Sequence, residues 1–338
     1  MKVTTIGLDL AKSVFTVHGV DEHGNAMLRK TVRRGKLLEL FTHLPVSVVG
    51  MEACAGAQHW ARELRKLGHD PRIMAAEFVE PYRRGGKNDA NDAAAICEAV
   101  SRPQMHFVAL KSMDQQAVLA VHRLRQGLVE ERTALANRLR GLLTEYGVVV
   151  GMGLDRLRHA LPEILEDGDN GIPGIAREVF ADAGQQLREL DARIAAYDRR
   201  IAALARASAP AQRLMKIEGV GPVTATALVA SVGDAKVFHN GRQFAAWLGL
   251  TPRQHSTGGK QRLGAITKHG DVYLRTLLIH GARAVLQVTA KRSDAKSRWV
   301  ESLRQRRPDN VAAVALAAKN ARIIWALLAR AHDYQPAA

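Results

Sequence analysis

Four carboxylates stand at positions where a folded chain has little structural use for them. Asp9 ends the apolar stretch IGLDL, and Glu52 ends the β-branched stretch VVGME. Asp89 and Asp92 open an alanine-rich segment, NDANDAAAI. Residues three apart lie on one face of a helix, so both of these carboxylates are able to point at the same place. A carboxylate beside apolar core residues is costly unless it has a charged or hydrogen-bonding partner.

Four converging carboxylates repel one another unless a cation relieves the charge. Mg²⁺, with Mn²⁺ as the alternative, takes such oxygen ligands and bridges phosphate oxygens. Two ions about 4 Å apart stabilise the attacking and leaving oxygens of a phosphodiester displacement. Singly, Asp89 also suits a helix N-cap and Glu52 a surface turn. The basic residues just before the pair, Arg83, Arg84 and Lys87, are predicted to hold the nucleic-acid backbone.

The elements that must position these acids follow a recognisable order. Residues 3–8 predict a buried strand, and residues 13–32 predict a hairpin around the turn DEHGN. The strand VSVVGMEA, the helix AQHWARELRKLG, the strand PRIMAA and the helix DANDAAAICEAVS come next. Hairpin strands followed by alternating strands and helices predict an α/β domain over residues 1–105, with the order of an RNase H-like (RuvC-like) nuclease core.

Residues 106–207 predict a helical region. One helix begins at Met113, and a second carries apolar residues separated by gaps of 3 and 4. That spacing fits a coiled-coil seam, in a helical hairpin or between two chains, and equally two helices packed within one bundle. A dimer is the natural expectation from such a seam. The seam residues are Leu187, Leu190, Ile194, Tyr197, Ile201 and Leu204.

Residues 208–338 predict a mainly α domain that binds nucleic acid. The segment IEGVGPVTATAL has the shape of a helix-hairpin-helix turn, with Gly219 and Gly221 at the turn and Pro222 at the next helix start. Such a turn offers backbone N–H groups to a phosphate. Residues 251–307 hold 13 Lys/Arg against 3 Asp/Glu, so they carry +10 of the formal net charge of +16.

The composition as a whole indicates a polyanionic partner. The net charge of +16 and the pI near 10.3 are unusual for a globular protein. Two cysteines are too few for a disulfide framework or a zinc site, and the aromatic content of 5% argues against a base-stacking sheet. No signal pattern or long apolar run is evident, so we expect a cytoplasmic, nucleoid-associated protein with no membrane partner.

The motifs resemble those of a known family. IGLDLAK, GMEACAG and KNDANDA are similar to the Asp-Glu-Asp-Asp motifs of the RuvC-like domain of IS110-family insertion-sequence transposases, in the IS1111 subgroup. IEGVGPVTATAL, FAAWLGLTPRQHSTGGKQRLGAITKHGD and YLRTLLIHGARA resemble the C-terminal transposase domain of that family. The resemblance covers nearly the whole chain, in motif order.

The resemblance implies more than the residues alone establish. Family members are recombinases guided by a structured RNA from their own element, called a bridge or seeker RNA, which pairs with donor and target DNA. Their four acids bind Mg²⁺, and a serine of the C-terminal domain attacks DNA to form a phosphoserine link. They act as dimers that assemble to tetramers on DNA, with composite sites built from two subunits.

Ser256, in the loop TPRQHSTGGKQRLG, is the predicted nucleophile. A serine needs activation by metal or by a nearby base, for which His255 is a candidate. The serine of the family directly precedes a glycine, a place that Thr257 holds here, so Thr257 is the alternative. The segment STGGK lacks the spacing of a nucleotide-binding P-loop. The cations predicted to contact nucleic acid in this region are Arg253, Lys260, Arg262, Lys268 and Arg275.

Three functions are thus compared. The leading one is an RNA-guided, Mg²⁺-dependent serine recombinase that excises and inserts an insertion sequence. The second is a Holliday-junction-type resolvase or DDE-like transposase that uses metal-activated water and no serine. The third is a non-catalytic nucleic-acid-binding protein, which four placed acids disfavour because carboxylates weaken a phosphate-binding surface.

Overall fold

The computed structural model describes residues 2–86, 88–330 and 334, and the chain forms two compact units, Met1–Ser112 and Met113–Ala338. The predicted α/β class of the first unit and the mainly helical character of the second are confirmed. Lys87, one of the predicted backbone-holding cations, lies outside the described residues.

Unit 1 is built on a six-stranded mixed sheet in the order β3-β2-β1-β4-β5-β6. The central neighbours β1, β4 and β5 are parallel, whereas the pairs β1–β2, β2–β3 and β5–β6 are antiparallel. The strands are β1 (Thr5–Leu10), β2 (Val14–Val20), β3 (Ala26–Arg33), β4 (Val48–Glu52), β5 (Asp70–Met74) and β6 (Phe107–Val108), and the helices are α1 (Leu37–Thr42), α2 (Ala57–Lys66), α3 (Ala76–Val79) and α4 (Asp89–Val100).

Helices cover both faces of this sheet. On one face, Phe41 of α1 and Trp60 and Leu64 of α2 pack against strand residues such as Ile6 and Leu8. On the other face lies α4, whose Ile96, Ala99 and Val100 form a smaller core with Met74. Because β1 and β4 are buried on both faces, their sequences read as nearly continuous apolar runs.

The segment after α4 extends unit 1 beyond the predicted boundary at residue 105. β6 adds to the sheet edge, where Val108 pairs with Ile73. Gln58 then holds the chain: its Nε2 donates to the Ala109 carbonyl at 3.2 Å, and its Oε1 accepts from Lys111 N at 2.8 Å. These long-range bonds place the boundary at residue 112. The sequence did not predict this position, because a two-residue strand carries too little pattern to be recognised.

Unit 2 contains two apolar cores. One joins α5, α6 and α7, and the other joins α8 to α13. The predicted regions 106–207 and 208–338 follow these two cores, but α9 packs against both α5 and α7, so the structure joins them in one unit. The elements are α5 (Met113–Thr144), α6 (Leu154–Glu166), α7 (Gly174–Ala207), α8 (Ala209–Met215), α9 (Pro222–Val232), α10 (Gly241–Trp247), β7 (Pro252–Gln254), β8 (Leu263–Ile266), α11 (Val272–Leu286), α12 (Ala295–Arg304) and α13 (Asp309–Arg330).

The heptad seam of α7 is used inside the chain. Leu187, Leu190 and Ile194 are each 5% exposed and pack against α5. Two ion pairs fix the arrangement as antiparallel: Arg125 pairs with Asp198, and Arg132, seven residues later, pairs with Asp191, seven residues earlier. Of the alternatives that the spacing left open, the described chain thus adopts an intramolecular helix pair. The seam supplies no reason to expect a dimer, because α5 already covers it.

The longest apolar helix is part of a core. By length and composition alone α13 would be able to cross a membrane, with a mean hydropathy of 1.6 over its most apolar window. Its inner face, however, is enclosed: Leu316, Ala321 and Ile324 are fully buried against neighbouring helices. A buried core helix has the same composition as a membrane span, which accounts for its apolar sequence.

Candidate active site

The sheet itself brings the first two acids together. β1 and β4 are parallel neighbours, with Leu8 opposite Met51. Asp9 and Glu52 each follow by one residue, so they lie side by side toward the carboxyl ends of the two strands. Both are half-buried. Side chains alternate along a strand, so they share the face that carries Gly7 and Gly50.

Those two glycines let α4 lie directly on this face. A Cβ atom at Gly7 would stand 2.0 Å from the backbone oxygen of Ala93, and one at Gly50 would stand 2.8 Å from the Val100 Cβ. Ala93 and Val100 lie on the α4 face that continues, one turn earlier, to Asp89. The close approach therefore sets the start of α4 over the end of the strands where Asp9 and Glu52 lie.

A different residue caps α4 from the one that the sequence suggested. Asn88 is the N-cap, and its side chain accepts a hydrogen bond from Asn91 N at 2.8 Å. Asp89 is the first helical residue, so its alternative role as the N-cap is wrong. Asn91 Nδ2 also donates to the Gly86 carbonyl at 2.7 Å, which ties the preceding loop to the helix. With the cap supplied by an asparagine, Asp89 and Asp92 remain available as ligands.

The other three acids influence Asp9 electrostatically. The pKa of Asp9 is raised to about 6, first by burial and then by the negative charges of Asp89, Asp92 and Glu52. Such a raised pKa in a cleft is typical of a functional carboxylate. Arg83 supplies partial relief, since its Nη1 lies 3.4 Å from Asp92 Oδ1.

The donor set is suited to a hard divalent cation. Four carboxylates offer only oxygen ligands, and their mutual repulsion is the charge imbalance that a divalent ion relieves. No group of three or more His, Cys, Asp and Glu side chains in the described part of the chain stands close enough to hold a metal ion as it is.

The loop before α4 holds the predicted backbone-holding cations. Arg83 is half-buried and faces the acids through Asp92, with Glu80 as a second, longer partner at 3.8 Å. Arg84 is exposed. The described part of this loop thus presents one arginine at the acids and one to solvent.

Ser256 lies in the loop of a hairpin formed by β7 and β8 in unit 2. Its Oγ accepts a hydrogen bond from Gln254 Nε2 at 2.9 Å and a longer one from Arg262 N at 3.3 Å. The tip folds tightly because Gly258 and Gly259 both have positive φ, of 56° and 75°. Within the described residues, these contacts orient the Ser256 hydroxyl without His255. His255 instead extends the hairpin through its backbone, donating to the Arg262 carbonyl.

Arg275 holds the base of this hairpin through contacts with backbone carbonyls. Arg275 is only 7% exposed, and its Nη1 donates to the carbonyls of Leu248 and His269 at 3.2 and 3.3 Å. Its Nη1 is therefore engaged by the protein itself, and its role as a nucleic-acid contact stays a prediction. Gly249 and Gly270 cross so closely here that neither has room for a Cβ. The exposed cations of the hairpin region are Arg253, Lys260, Arg262 and Lys268.

A short turn between α8 and α9 lies where the sequence predicts a helix-hairpin-helix turn. Gly219 has φ of 83°, and a Cβ at this position would stand 2.7 Å from the Gly281 backbone oxygen of α11. Packing against α11 thus explains Gly219. Gly221 is exposed, precedes Pro222 and has open space around it. Of the two glycines, Gly221 is the one that a phosphate is able to approach.

The residues that sequence reasoning missed are Gly7, Gly50 and Asn88. A usable signal existed for the glycines, because both acidic strands carry a glycine two positions before the acid, in Gly7-Leu8-Asp9 and Gly50-Met51-Glu52. Two glycines in register on neighbouring strands indicate a close approach of another element. For Asn88, the choice between adjacent capping residues depends on the helix start, which sequence fixes only to within a few residues.

This arrangement is typical of an enzyme that cuts nucleic acid, and comparison with known proteins narrows the class. Residues 6–148 match a family model described as the DEDD transposase of IS110, and residues 211–298 match one described as the transposase IS116/IS110/IS902 family. A probable family 20 transposase of Pseudomonas aeruginosa is 53% identical over 99% of this chain and 100% of its own length.

Two further relatives have names that specify an element. The transposase for insertion sequence element IS1111A of Coxiella burnetii is 44% identical over 98% of this chain and 92% of its own. The transposase for insertion sequence element IS1328 of Yersinia enterocolitica is 39% identical over 96% of both. The chain belongs to the IS110 family of insertion-sequence transposases.

Proposed function

We propose that this transposase is an RNA-guided, Mg²⁺-dependent recombinase that excises and inserts its insertion sequence through a serine nucleophile. The observation that carries the catalytic part is the electrostatic influence of Glu52, Asp89 and Asp92 on Asp9. Burial, and then the negative charges of the other three acids, raise the pKa of Asp9 to about 6. The strand order and the helix over the acidic end support an RNase H-like reading of unit 1.

Each residue has a distinct role in this proposal. The four carboxylates hold the divalent ions, which supply charge stabilisation at the attacking and leaving oxygens when bound. Arg83 and Arg84 position the DNA backbone beside them. Ser256 is the nucleophile, an exposed residue of the hairpin whose Oγ is oriented by Gln254. The cations Arg253, Lys260 and Arg262 hold the phosphate that Ser256 attacks.

The partners follow from family resemblance and charge. Transposases act on DNA, and the +16 net charge suits an enzyme that holds DNA and RNA together. We propose a structured RNA of the element as the guide, and a dimer that assembles to a tetramer on donor and target duplexes. Base pairing would then carry target choice, as it does in guided nucleases. The site of action is the cytoplasm, at the nucleoid.

The serine is tested by trapping the covalent link. Donor DNA carrying a label is incubated with the protein, the copurifying RNA and Mg²⁺, and denaturing gels then reveal a protein–DNA adduct. Ser256→Ala should abolish the adduct while RNA binding survives, because the hydroxyl is exposed and its loss leaves no cavity. Thr257→Val, one residue away, is the matched control and should keep the adduct. An adduct that persists in Ser256→Ala and disappears in Thr257→Val would assign the nucleophile to Thr257.

The metal site and the guide are tested in the same assay. Asp9→Asn keeps the size of the side chain, removes its charge and should stop strand cleavage with DNA binding intact. Cleavage without any adduct in the wild type would favour the water-only resolvase reading. Recombination by purified protein without RNA would reject guidance. DNA binding with no cleavage under any condition would leave only the non-catalytic function.

A further inference from the structure

A polar cavity runs along the side of α4 in unit 1. Its volume is about 440 Å³, within the range of small-molecule sites. The floor is formed by strand residues that include Thr5 and His18, and one wall by α4 residues that include Ala94 and Glu98. We call this cavity the α4 cleft. None of its lining residues belongs to the four acids.

The α4 cleft begins next to the acidic site. Asn91, which lines the cleft, directly precedes Asp92. Thr5 and Asp9 lie on the same face of β1, four residues apart, so the far end is about 13 Å from Asp9 along the strand. His18 pairs with Gly7 in the β1–β2 register and therefore points to this face as well. When a DNA strand is held at the acids, a neighbouring nucleotide of that strand is therefore able to reach the α4 cleft.

The α4 cleft has a cation at one end and carboxylates along the rest of its length. Arg84 lies at the end beside Asn91, whose Nδ2 donates to the nearby Gly86 carbonyl. Glu98 lies two turns further along α4, paired with Arg102, and Glu22 lies in the turn after β2. A phosphate is favoured near Arg84, since the carboxylates of Glu98 and Glu22 line the rest of the cleft.

The part of the cleft away from Arg84 offers hydrogen-bonding groups that suit the edge of a nucleobase. Glu98 and Glu22 are acceptors for the exocyclic amino groups of bases. Burial and then Arg29 lower the pKa of His18, so the neutral ring provides one donor and one acceptor. Tyr82 adds an aromatic ring, with the Arg102 guanidinium over it at 5.6 Å from the centroid. Polar groups of both kinds beside one ring suit a base better than an apolar ligand.

We propose that the α4 cleft receives one unstacked nucleotide of the DNA strand that is cleaved at the four acids. Its phosphate lies at Arg84 and its base lies toward Glu98, which favours bases that carry an amino group. Enzymes that modify bases take the target nucleotide out of the stack in a similar way. This inference rests on the proposed DNA-cleaving function.

The test uses 2-aminopurine, a base that fluoresces when unstacked. It is placed singly at each position around the cleavage site, in the complete protein–RNA–DNA complex with Ca²⁺ replacing Mg²⁺ to prevent cleavage. With wild-type protein, the fluorescence of 2-aminopurine should increase at one position. Ala94→Leu fills the cleft and should remove that signal, whereas Ala94→Ser, which leaves the volume open, should keep it. With Mg²⁺, Ala94→Leu should cleave roughly tenfold more slowly, the effect expected when one base loses its stacking contacts.

Each outcome separates the α4 cleft from the wider function. Normal cleavage with no bright position, or with the same brightening in Ala94→Leu, overturns the cleft proposal and leaves the recombinase intact. An increase in fluorescence only when the label is in the RNA also overturns the cleft proposal. Thymine at the position of increased fluorescence should slow cleavage by the wild type. Cleavage rates equal to those with adenine overturn the proposed base preference. Failure of the wild type to cleave any DNA refutes the proposed function itself.

Discussion

His122 is a histidine with no exposed surface in the middle of unit 2. Thr226 donates its hydroxyl hydrogen to the Pro222 carbonyl at 2.7 Å, so its oxygen accepts from His122 Nε2 at 2.9 Å. Nδ1 then accepts from the Tyr273 hydroxyl at 3.0 Å. The neutral ring joins α5, α9 and α11. Burial, and then the nearby Arg125 and Arg123, lower its pKa to about 4.

This network predicts an acid-sensitive fold. Between about pH 6.5 and pH 4 the unfolded chain binds a proton at His122 that the folded chain excludes, so the free energy of unfolding falls as pH falls through that window. The full loss is about 3 kcal/mol. Urea unfolding near pH 7 and near pH 5 should show about 2 kcal/mol of this loss, because pH 5 lies above the folded-state pKa. His122→Gln keeps a donor and an acceptor but does not titrate, and should lose less stability on acidification than the wild type. Equal losses in both proteins would contradict the assignment.

Arginine and lysine in the hairpin region have opposite roles despite similar sequence surroundings. Lys260→Gln should lower the salt dependence of nucleic-acid binding by about one unit of slope, because one phosphate contact is lost. Arg275→Gln should leave that slope unchanged and lower the free energy of unfolding by about 2 kcal/mol, because two carbonyls lose their partner. Binding titrations at several salt concentrations and urea melts separate the two. A reduced slope for Arg275→Gln would return it to the nucleic-acid surface.

At the level of elements, the position of α4 on the sheet decides whether the acids meet. Gly7→Ala places a methyl group 2.0 Å from the Ala93 backbone oxygen, so helix and strand must separate. Overpacking of this kind costs about 3 kcal/mol, and the displaced Asp89 and Asp92 should require more Mg²⁺ for cleavage. Gly35→Ala, where no atom lies within 4 Å, is the control. Wild-type Mg²⁺ dependence in Gly7→Ala would show that close packing does not position the acids.

The helix pair α5–α7 behaves as a core and not as an exposed zipper. Ile194→Ala should therefore lower the free energy of unfolding by about 3 kcal/mol and leave the oligomeric state of the folded protein unchanged. Leu124→Ala, at a position 59% exposed on α5, should change stability by less than about 0.5 kcal/mol. Denaturant melts and sedimentation report the two quantities. Dissociation of an oligomer by Ile194→Ala, without loss of stability, would place the seam between chains.

At the scale of the whole molecule, the acids and the serine belong to different units of the chain. Asp9→Asn and Ser256→Ala should each be inactive alone. If the family's composite sites apply here, mixing the two proteins should restore part of the recombination, because one pairing of subunits then holds intact acids and an intact serine. Recombination assays on mixtures at several ratios measure this effect, and a double variant, Asp9→Asn with Ser256→Ala, mixed with either single variant is the control. No recovery in any mixture would place both groups in one subunit.

Much of the fold was predictable because its signals are local. Strand segments with β-branched residues, the turn DEHGN and the alanine-rich helix all have patterns of a few residues, and each element formed where predicted. The four acids stood out because carboxylates beside apolar runs are costly. The end of unit 1 was not predictable, because β6 and its Gln58 contacts depend on residues about fifty positions apart in sequence.

The sequence by itself determined the α/β and helical regions, the basic partner surface and the four acids, because charge and periodicity do not depend on distant contacts. Only the tertiary structure decided which neighbours these residues meet. It turned a heptad seam inward, buried Arg275 between two carbonyls and gave the α4 cap to Asn88. It also showed why Gly7 and Gly50 precede Asp9 and Glu52. Without a Cβ at either glycine, α4 is able to lie directly on the face of the sheet that holds these two acids.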